Sequence, residues 1–185
     1  RKEMSQRGIT PQTFDWEATD EELEVALNRF KDNCVIPDNT SVRTLNILIA
    51  KLNAFRQMHP DYVIALQGYP EWQAYTSSHL SDMYKFGTYI YTSYYKNPMQ
   101  PSTAAFENTF YRLFHRQPLP SFPQFGMFGF DLGYYFLHGL ANLGDTFAQR
   151  NGELRYKPFQ HPFRFQPMDN EGGYTNTHTQ LVHYT

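Results

Sequence analysis

A chain of 185 residues with 16 Lys and Arg against 18 Asp and Glu carries a formal charge of -2, which is long enough for one α/β domain with a genuine core and short for two. That near-neutral balance, with no basic block along the chain, leaves no electrostatic footprint for nucleic acid. No apolar run approaches the ~18 residues of a membrane-spanning helix, and the 17% aromatic content, with 14 Tyr and 16 Phe, points either to an aromatic core or to a contact surface at loop tips.

In chain order, Lys2 to Gly8 reads as the end of a helix stopped by glycine, and Ile9 to Trp16 as an extended connection. The first ten residues lack the apolar core of a signal peptide, and their abrupt polar start suggests a fragment or processed product with any targeting signal upstream. Thr19-Asp20-Glu21-Glu22 fits a capping box, in which hydroxyl and carboxylate satisfy each other's orphan amides. The helix behind it turns Leu23, Ala26, Leu27 and Phe30 inward. Asn33 to Pro37 is the first predicted strand. Cys34 within it is the only cysteine, so an internal disulfide is excluded and burial as a small apolar residue is expected. A polar cluster, Asp38 to Ser41, leads into a helix with Leu45, Leu48, Ile49, Leu52 and Phe55 on one face. Tyr62 to Leu66 is the second strand, followed by Gln67-Gly68-Tyr69-Pro70-Glu71-Trp72, where Pro70 suits the first turn of another helix. This is a βαβ unit. Because such crossovers are right-handed and parallel, the loops after both strands emerge at the carboxyl edge of one sheet, where ligands of open α/β sheets sit.

Thr88 to Tyr95 is the third predicted strand, dense in Tyr, Thr and Ile. A turn at Asn97 to Pro101 precedes a helix capped by Ser102 and carrying Phe106, Phe110, Leu113 and Phe114. Pro118 to Pro123 is a stiff linker. Phe125 to Phe130 reads as a fourth strand, and Asp131 as the cap of a helix with Leu132, Tyr135, Phe136, Leu140 and Leu143 on one face. Beyond Gly144 the pattern becomes a β appendage, with Phe163 to Gln166 as one strand, a Gly172-Gly173 turn, and Gln180 to Tyr184 as the other. The expected fold is α/β, a three-layer α/β/α sandwich with a mostly parallel sheet, flavodoxin-like in outline, with an irregular β tail. Residues 1–143 form one lobe with hinges at 94–101 and 117–124, and 144–185 form a β-rich extension of the same domain.

Four chemistries compete for these residues. The seven histidines never fall at metal-binding spacing with a carboxylate, and HExxH and CxxC are missing, so no metal is expected. Ser41, Ser93 and Ser121 lack the G-x-S-x-G turn of a lifted nucleophile, so no catalytic residue is assigned and no enzyme is expected. Asn39, Thr40 and Ser41, with Thr44 a turn later, place hydroxyls and amides at a helix start that favours anions. A flavodoxin-like domain holds a flavin phosphate this way, with Trp72 or Tyr95 to stack on its ring, yet the same residues also read as a plain helix cap. Finally, Glu71 can accept an ammonium between the walls of Tyr69 and Trp72, or it can serve the helix dipole while Trp72 fills the core.

The motifs as a set, namely the helix from Asp20 into NCVIPDNTS, LNILIAKL, DYVIALQGYPEW, TYIYTSYY and GMFGFDLGYYFLHGL, resemble the type 1 periplasmic-binding-protein fold. The nearest members are branched-chain amino-acid-binding proteins of ABC transporters, in the Bacteroidetes variant often joined to LysM peptidoglycan-binding domains. The resemblance spans nearly all of this chain, which corresponds to the C-terminal half of such a protein. Missing is the front half of the first lobe, which holds the amino acid's α-carboxylate in the family. NCVIPDNTS and GYPEW match the strands and loops of the second lobe that face ligand, and Phe128-Gly129-Phe130-Asp131 matches the opening of a late first-lobe helix. The resemblance implies a non-catalytic solute-binding or cell-envelope recognition module in the periplasm or cell envelope, without cofactor. Its ligand would be a small polar solute such as an amino acid or a peptidoglycan fragment, held by Asn39, Thr40, Ser41, Tyr69, Glu71 and Trp72. A homodimer or an envelope-protein partner is also expected. The alternatives are a flavodoxin-like flavin or nucleotide domain, and a structural or interaction domain with a degenerate pocket.

Overall fold

In the computed structural model, which describes residues 2–119, 121–168 and 172–185, the parallel pair around Cys34 forms. Strand β1 (Asn33–Val35) runs parallel to β2 (Ile64–Gly68), with Asn33 opposite Ile64 and Val35 opposite Leu66. The chain divides into two compact units, residues up to Ile90 with His183–Thr185, and Tyr91–Val182. Both expected hinge segments, 94–101 and 117–124, lie inside the second unit, and Pro120 of the expected linker lies outside the described residues.

In the first unit a short helix α1 (Lys2–Gln6) stops just ahead of Gly8, whose φ of +75° suits glycine. Helix α2 (Asp20–Ala26) begins with the predicted capping box. Thr19 Oγ1 accepts from the Glu22 amide at 3.3 Å, and the Glu22 carboxylate accepts from the Thr19 amide at 2.8 Å. The helix ends before Phe30, which is 91% exposed rather than inward. The next turn is instead anchored by Asn33, whose side chain donates to the carbonyls of Asn28 and Val63 and accepts from the Asn28 amide. Cys34 is exposed, contrary to expectation, because its neighbours Val35 and Leu66 take the inward positions of the pleat.

Helix α3 (Val42–Met58) buries the predicted stripe of Leu45, Leu48, Ile49, Leu52 and Phe55. A 3₁₀ segment (Pro70–Tyr75) then leads into helix α4 (Thr76–Lys85), which buries Met83. Gly87, at φ +47°, turns the chain into strand β3 (Tyr89–Thr92). That strand runs parallel to β2, with Gln67 opposite Tyr89 and Gly68 opposite Ile90.

The second unit opens with helix α5 (Pro101–Phe114), capped by Gln100 with Pro101 in its first turn, so Ser102 lies inside the helix and not at its cap. Helix α6 spans Phe125–Leu143. This corrects the predicted strand at Phe125 to Phe130 and the capping role of Asp131. A short apolar run does not by itself distinguish strand from buried helix, and Met127, Asp131, Tyr135 and Gly139 share one buried row at a spacing of four. Helix α7 (Phe147–Arg150) packs so closely that a Cβ on Gly139 would enter the Phe147 ring. Tyr135, 1% exposed, sits among the rings of Phe147, Tyr156, Phe163 and Phe165, with centroids 4.9–5.6 Å away. Much of the aromatic surplus therefore builds a core here.

The tail pairs differently from expectation. Strand β4 (Phe165–Pro167) lies antiparallel to β5 (Tyr174–Asn176), and β6 (Gln180–His183) joins the larger sheet. The Gly172 and Gly173 positive-φ turn closes a local hairpin with Thr175, which frees the last segment to pair elsewhere. The larger sheet has the order β1-β2-β3-β6. The Tyr184 amide donates to the Thr88 carbonyl at 3.0 Å, and His183 stacks on Tyr89 at 3.9 Å. The fold is thus mixed α/β with a mostly parallel four-stranded sheet. No helix among the described residues is long and apolar enough to cross a membrane.

Candidate functional site

The two loops expected to share a rim touch. Tyr69, in the loop after β2, donates its hydroxyl to the carbonyl of Pro37, in the loop after β1, at 2.7 Å. Parallel pairing of β1 and β2 forces both loops to the same edge, and this hydrogen bond fastens them there.

Between Pro37 and α3 the polar cluster organises itself. Asn39 Oδ1 accepts from the Ser41 amide at 3.1 Å and from the Thr44 hydroxyl at 2.7 Å. Ser41 is the N-cap of α3, its Oγ accepting from the Thr44 amide at 3.1 Å. The Asn39 amide nitrogen donates to Asp38 at 3.1 Å. Asn39 and Ser41 are therefore spent largely on shaping the loop, as the capping alternative holds. Thr40 is half-buried, with no hydrogen bond among the described residues.

On the other loop, Glu71 is exposed, with no ion pair or hydrogen bond among the described residues. Trp72, in contrast, is fully buried and stands edge-on to Tyr69 at 6.3 Å. Its indole covers Gly68, where an added Cβ would fall 2.5 Å from Trp72 Cε3. Trp72 thus supports Tyr69 from below and presents no surface to solvent. Tyr69 thus ties its loop to the one that carries Asn39, Thr40 and Ser41, with Glu71 two residues further along and Trp72 packed against Tyr69 and Gly68. One cation that the sequence reading passed over belongs to the same segment: Arg43, exposed in the first turn of α3 and free of ion pairs among the described residues. A basic residue just past a predicted cap was the signal available for it.

A second constellation, unpredicted, lies in the second unit. Asp131, 2% exposed, accepts from three consecutive amides: Phe159 at 2.8 Å, Gln160 at 2.8 Å and His161 at 2.9 Å. The clue was present in the sequence, since a lone carboxylate in an otherwise uncharged 19-residue helix must find partners when buried. His161 stacks on Tyr94 at 4.4 Å, its Nδ1 2.7 Å from the Ser93 carbonyl and its Nε2 2.9 Å from Asn176 Nδ2. Burial pushes its pKa down, against an upward pull from the Ser93 carbonyl and Asp131. Burial likewise pushes the Tyr156 phenol up to about 12, so it stays neutral and accepts from the Phe163 amide. All of these groups are spent on one another, which makes this centre a clasp for the chain at residues 159–163.

Clefts occur elsewhere among the described residues. One of about 440 Å³ runs along α2 beside Phe14, Asp15 and Glu22, and one of about 160 Å³ lies among Tyr95, Gln100, Lys157, Phe159 and Gln180. The second includes Tyr95, the alternative candidate for stacking on a flavin ring, and neither includes Asn39, Thr40, Ser41, Tyr69, Glu71 or Trp72. Among the described residues no group of three or more His, Cys, Asp and Glu could hold a metal ion. No protein-family model, curated protein or solved structure matches this chain.

Proposed function

We propose that this chain is the ligand-facing part of a non-catalytic solute-binding or cell-envelope recognition module of the type 1 periplasmic-binding kind, built as a three-layer α/β/α sandwich. Its ligand is a small polar solute such as an amino acid or a peptidoglycan fragment, taken at the rim after β1 and β2. One observation carries the reading: the Tyr69–Pro37 hydrogen bond. It fixes the carboxyl edge of a parallel pair, where open α/β sheets receive ligands.

The rim chemistry supports a zwitterion. Glu71 offers an uncommitted carboxylate for an ammonium, Arg43 a guanidinium for a carboxylate, and Thr40 an uncommitted hydroxyl. The bonded Asn39–Ser41–Thr44 network keeps the loop in one shape, so little ordering cost falls on binding.

Thermal shift of the whole chain against amino acids, short peptides and muropeptides tests the reading. A ligand at a hundred times its Kd stabilises by about 2.7 kcal/mol, and Glu71→Gln should abolish that response without altering the unliganded melting temperature. A flat response across the panel overturns the proposal, and stabilisation by flavin mononucleotide instead would reassign the rim to a flavin.

A further inference from the structure

The cleft of about 160 Å³ that Tyr95 and Gln180 line lies wholly within the second unit. One wall is apolar and fixed. Phe159 packs on the rings of Phe106 and Phe130, with centroids 5.2 and 5.3 Å away, and Pro158 and Pro162 add stiff apolar surface. The backbone of that wall is pinned twice: the Asp131 carboxylate accepts from the Phe159 and Gln160 amides, and the Gln160 carbonyl accepts from the Tyr95 amide at 3.0 Å. The polar lining, in contrast, is left with donors. Gln180 Nε2 is shielded from solvent and has no hydrogen-bond partner among the described residues, a costly state for an amide nitrogen. Asn97 and Gln100 have used their side-chain oxygens, which accept from the Met99 amide at 2.9 Å and the Ser102 hydroxyl at 3.4 Å. Their side-chain nitrogens have no partner among the described residues. Lys157 is exposed and free of ion pairs among the described residues, whereas Lys96, next to Asn97 in the chain, is taken by Glu107 at 3.0 Å. None of the residues lining the cleft is acidic.

We propose that this cleft binds a small monocarboxylate whose apolar body is about one ring in size, an aromatic acid in its simplest form. Size sets the body: a cavity of about 150 Å³ holds a benzene molecule. Donor chemistry sets the head group. A carboxylate only accepts, and its two oxygens have lone pairs enough for the Lys157 ammonium and the amide nitrogens of Gln180, Asn97 and Gln100. Bonds of this kind, with an ionised partner, are roughly twice as strong as neutral ones. The ring then covers Phe159 and the two prolines. A cation would meet no carboxylate in this lining, and inorganic phosphate would leave the apolar wall wet. Because Asp131 and Gln160 already hold the wall in place, little ordering cost falls on binding. The inference stands independently of the rim ligand, since no rim residue lines this cleft.

Titration of the whole chain with benzoate, followed by the amide NMR shifts of Tyr95, Phe159 and Gln160, tests it, with benzyl alcohol and inorganic phosphate as comparison probes. The expected result is saturable benzoate binding, with benzyl alcohol at least about threefold weaker because it lacks the charge. Lys157→Met keeps the aliphatic stem and should weaken benzoate at least about threefold while leaving benzyl alcohol unchanged. Gln180→Met should weaken benzoate too, yet leave the melting temperature of the unliganded chain no lower, because it removes an unpaired buried donor. Glu71→Gln should bind benzoate like the parent chain, which separates this cleft from the rim. Shifts that do not saturate by roughly 10 mM benzoate overturn the proposal, as do saturable binding indifferent to both cleft substitutions, and phosphate shifting these amides where benzoate does not.

Discussion

The hydroxyl of Tyr69 donates to the carbonyl of Pro37 at 2.7 Å, joining loops whose residues lie 32 positions apart in sequence. Tyr69→Phe removes the donor alone and leaves the ring in place against Trp72. A neutral hydrogen bond of this kind contributes about 1 kcal/mol net. The variant should therefore lower the unfolding free energy by that amount, read as a lower urea midpoint with an unchanged m-value, and should also reduce ligand-induced stabilisation. An unaltered midpoint would mean that the loops are joined by other contacts.

Gly68 has no room for a side chain, since the Cβ of an alanine would fall 2.5 Å from Trp72 Cε3. Both neighbours are buried in a strand and a 3₁₀ turn, so neither yields cheaply. Gly68→Ala should cost about 1–3 kcal/mol as an overpacked core site. In a Trp16→Phe background Trp72 is the only tryptophan, and its selectively excited emission should shift to the red in the variant as the indole is displaced. Unchanged emission and stability together would contradict the close approach.

The βαβ unit was legible because three independent signals agree there: the Leu45 to Phe55 stripe, the polar punctuation at Asp38 to Ser41, and β-branched runs on either side. The capping box at Thr19 was legible because it is wholly local. What the sequence hid depends on long-range partners. Phe125 to Phe130 reads as a strand until Asp131 and Tyr135 extend the same buried row by helical turns. Gln180 to Tyr184 reads as the partner of Phe163 to Gln166, but β6 joins the larger sheet instead. At the rim, position was readable and commitment was not. The sequence offers a helix cap beside an anion site at Asn39 to Ser41, and a core Trp72 beside an exposed wall, and only the bonds of Asn39 with Ser41 and Thr44 and the closure of Trp72 over Gly68 decide between them.

Asp131 gathers three amides from a segment 28 to 30 residues away. Truncating it leaves those donors without an acceptor in a buried site, and hydrogen bonds to a charged group contribute about 1.5–3 kcal/mol each, non-additively. Asp131→Ala should therefore destabilise by on the order of 4 kcal/mol. Asp131→Asn should recover only part of this, because its amide group turns a donor toward donors. Hydrogen exchange at Phe159, Gln160 and His161 should accelerate in both. Protection retained at all three amides in Asp131→Ala would refute the clasp.

His161 makes the stability of this unit depend on pH. Its Nδ1–H donates to the Ser93 carbonyl and its Nε2 accepts from Asn176 Nδ2, so the ring is held neutral. Asn176 cannot simply turn its amide to receive a second ring proton, because its Oδ1 already accepts from the amides of Arg164 at 2.8 Å and His178 at 3.1 Å. Burial lowers the His161 pKa first of all; the Ser93 carbonyl and the Asp131 carboxylate raise it, and His178 lowers it further. With the folded pKa below the unfolded value of about 6.5, the unfolded chain binds more protons between the two. This contribution to stability is complete above pH ~6.5 and is lost as pH falls through the folded pKa. Urea midpoints measured from pH ~8 down to ~5 should fall in the parent chain and fall less in His161→Gln, which keeps a polar side chain but no titrating ring. Equal slopes in the two proteins would show that the decline belongs to carboxylates elsewhere and not to this ring.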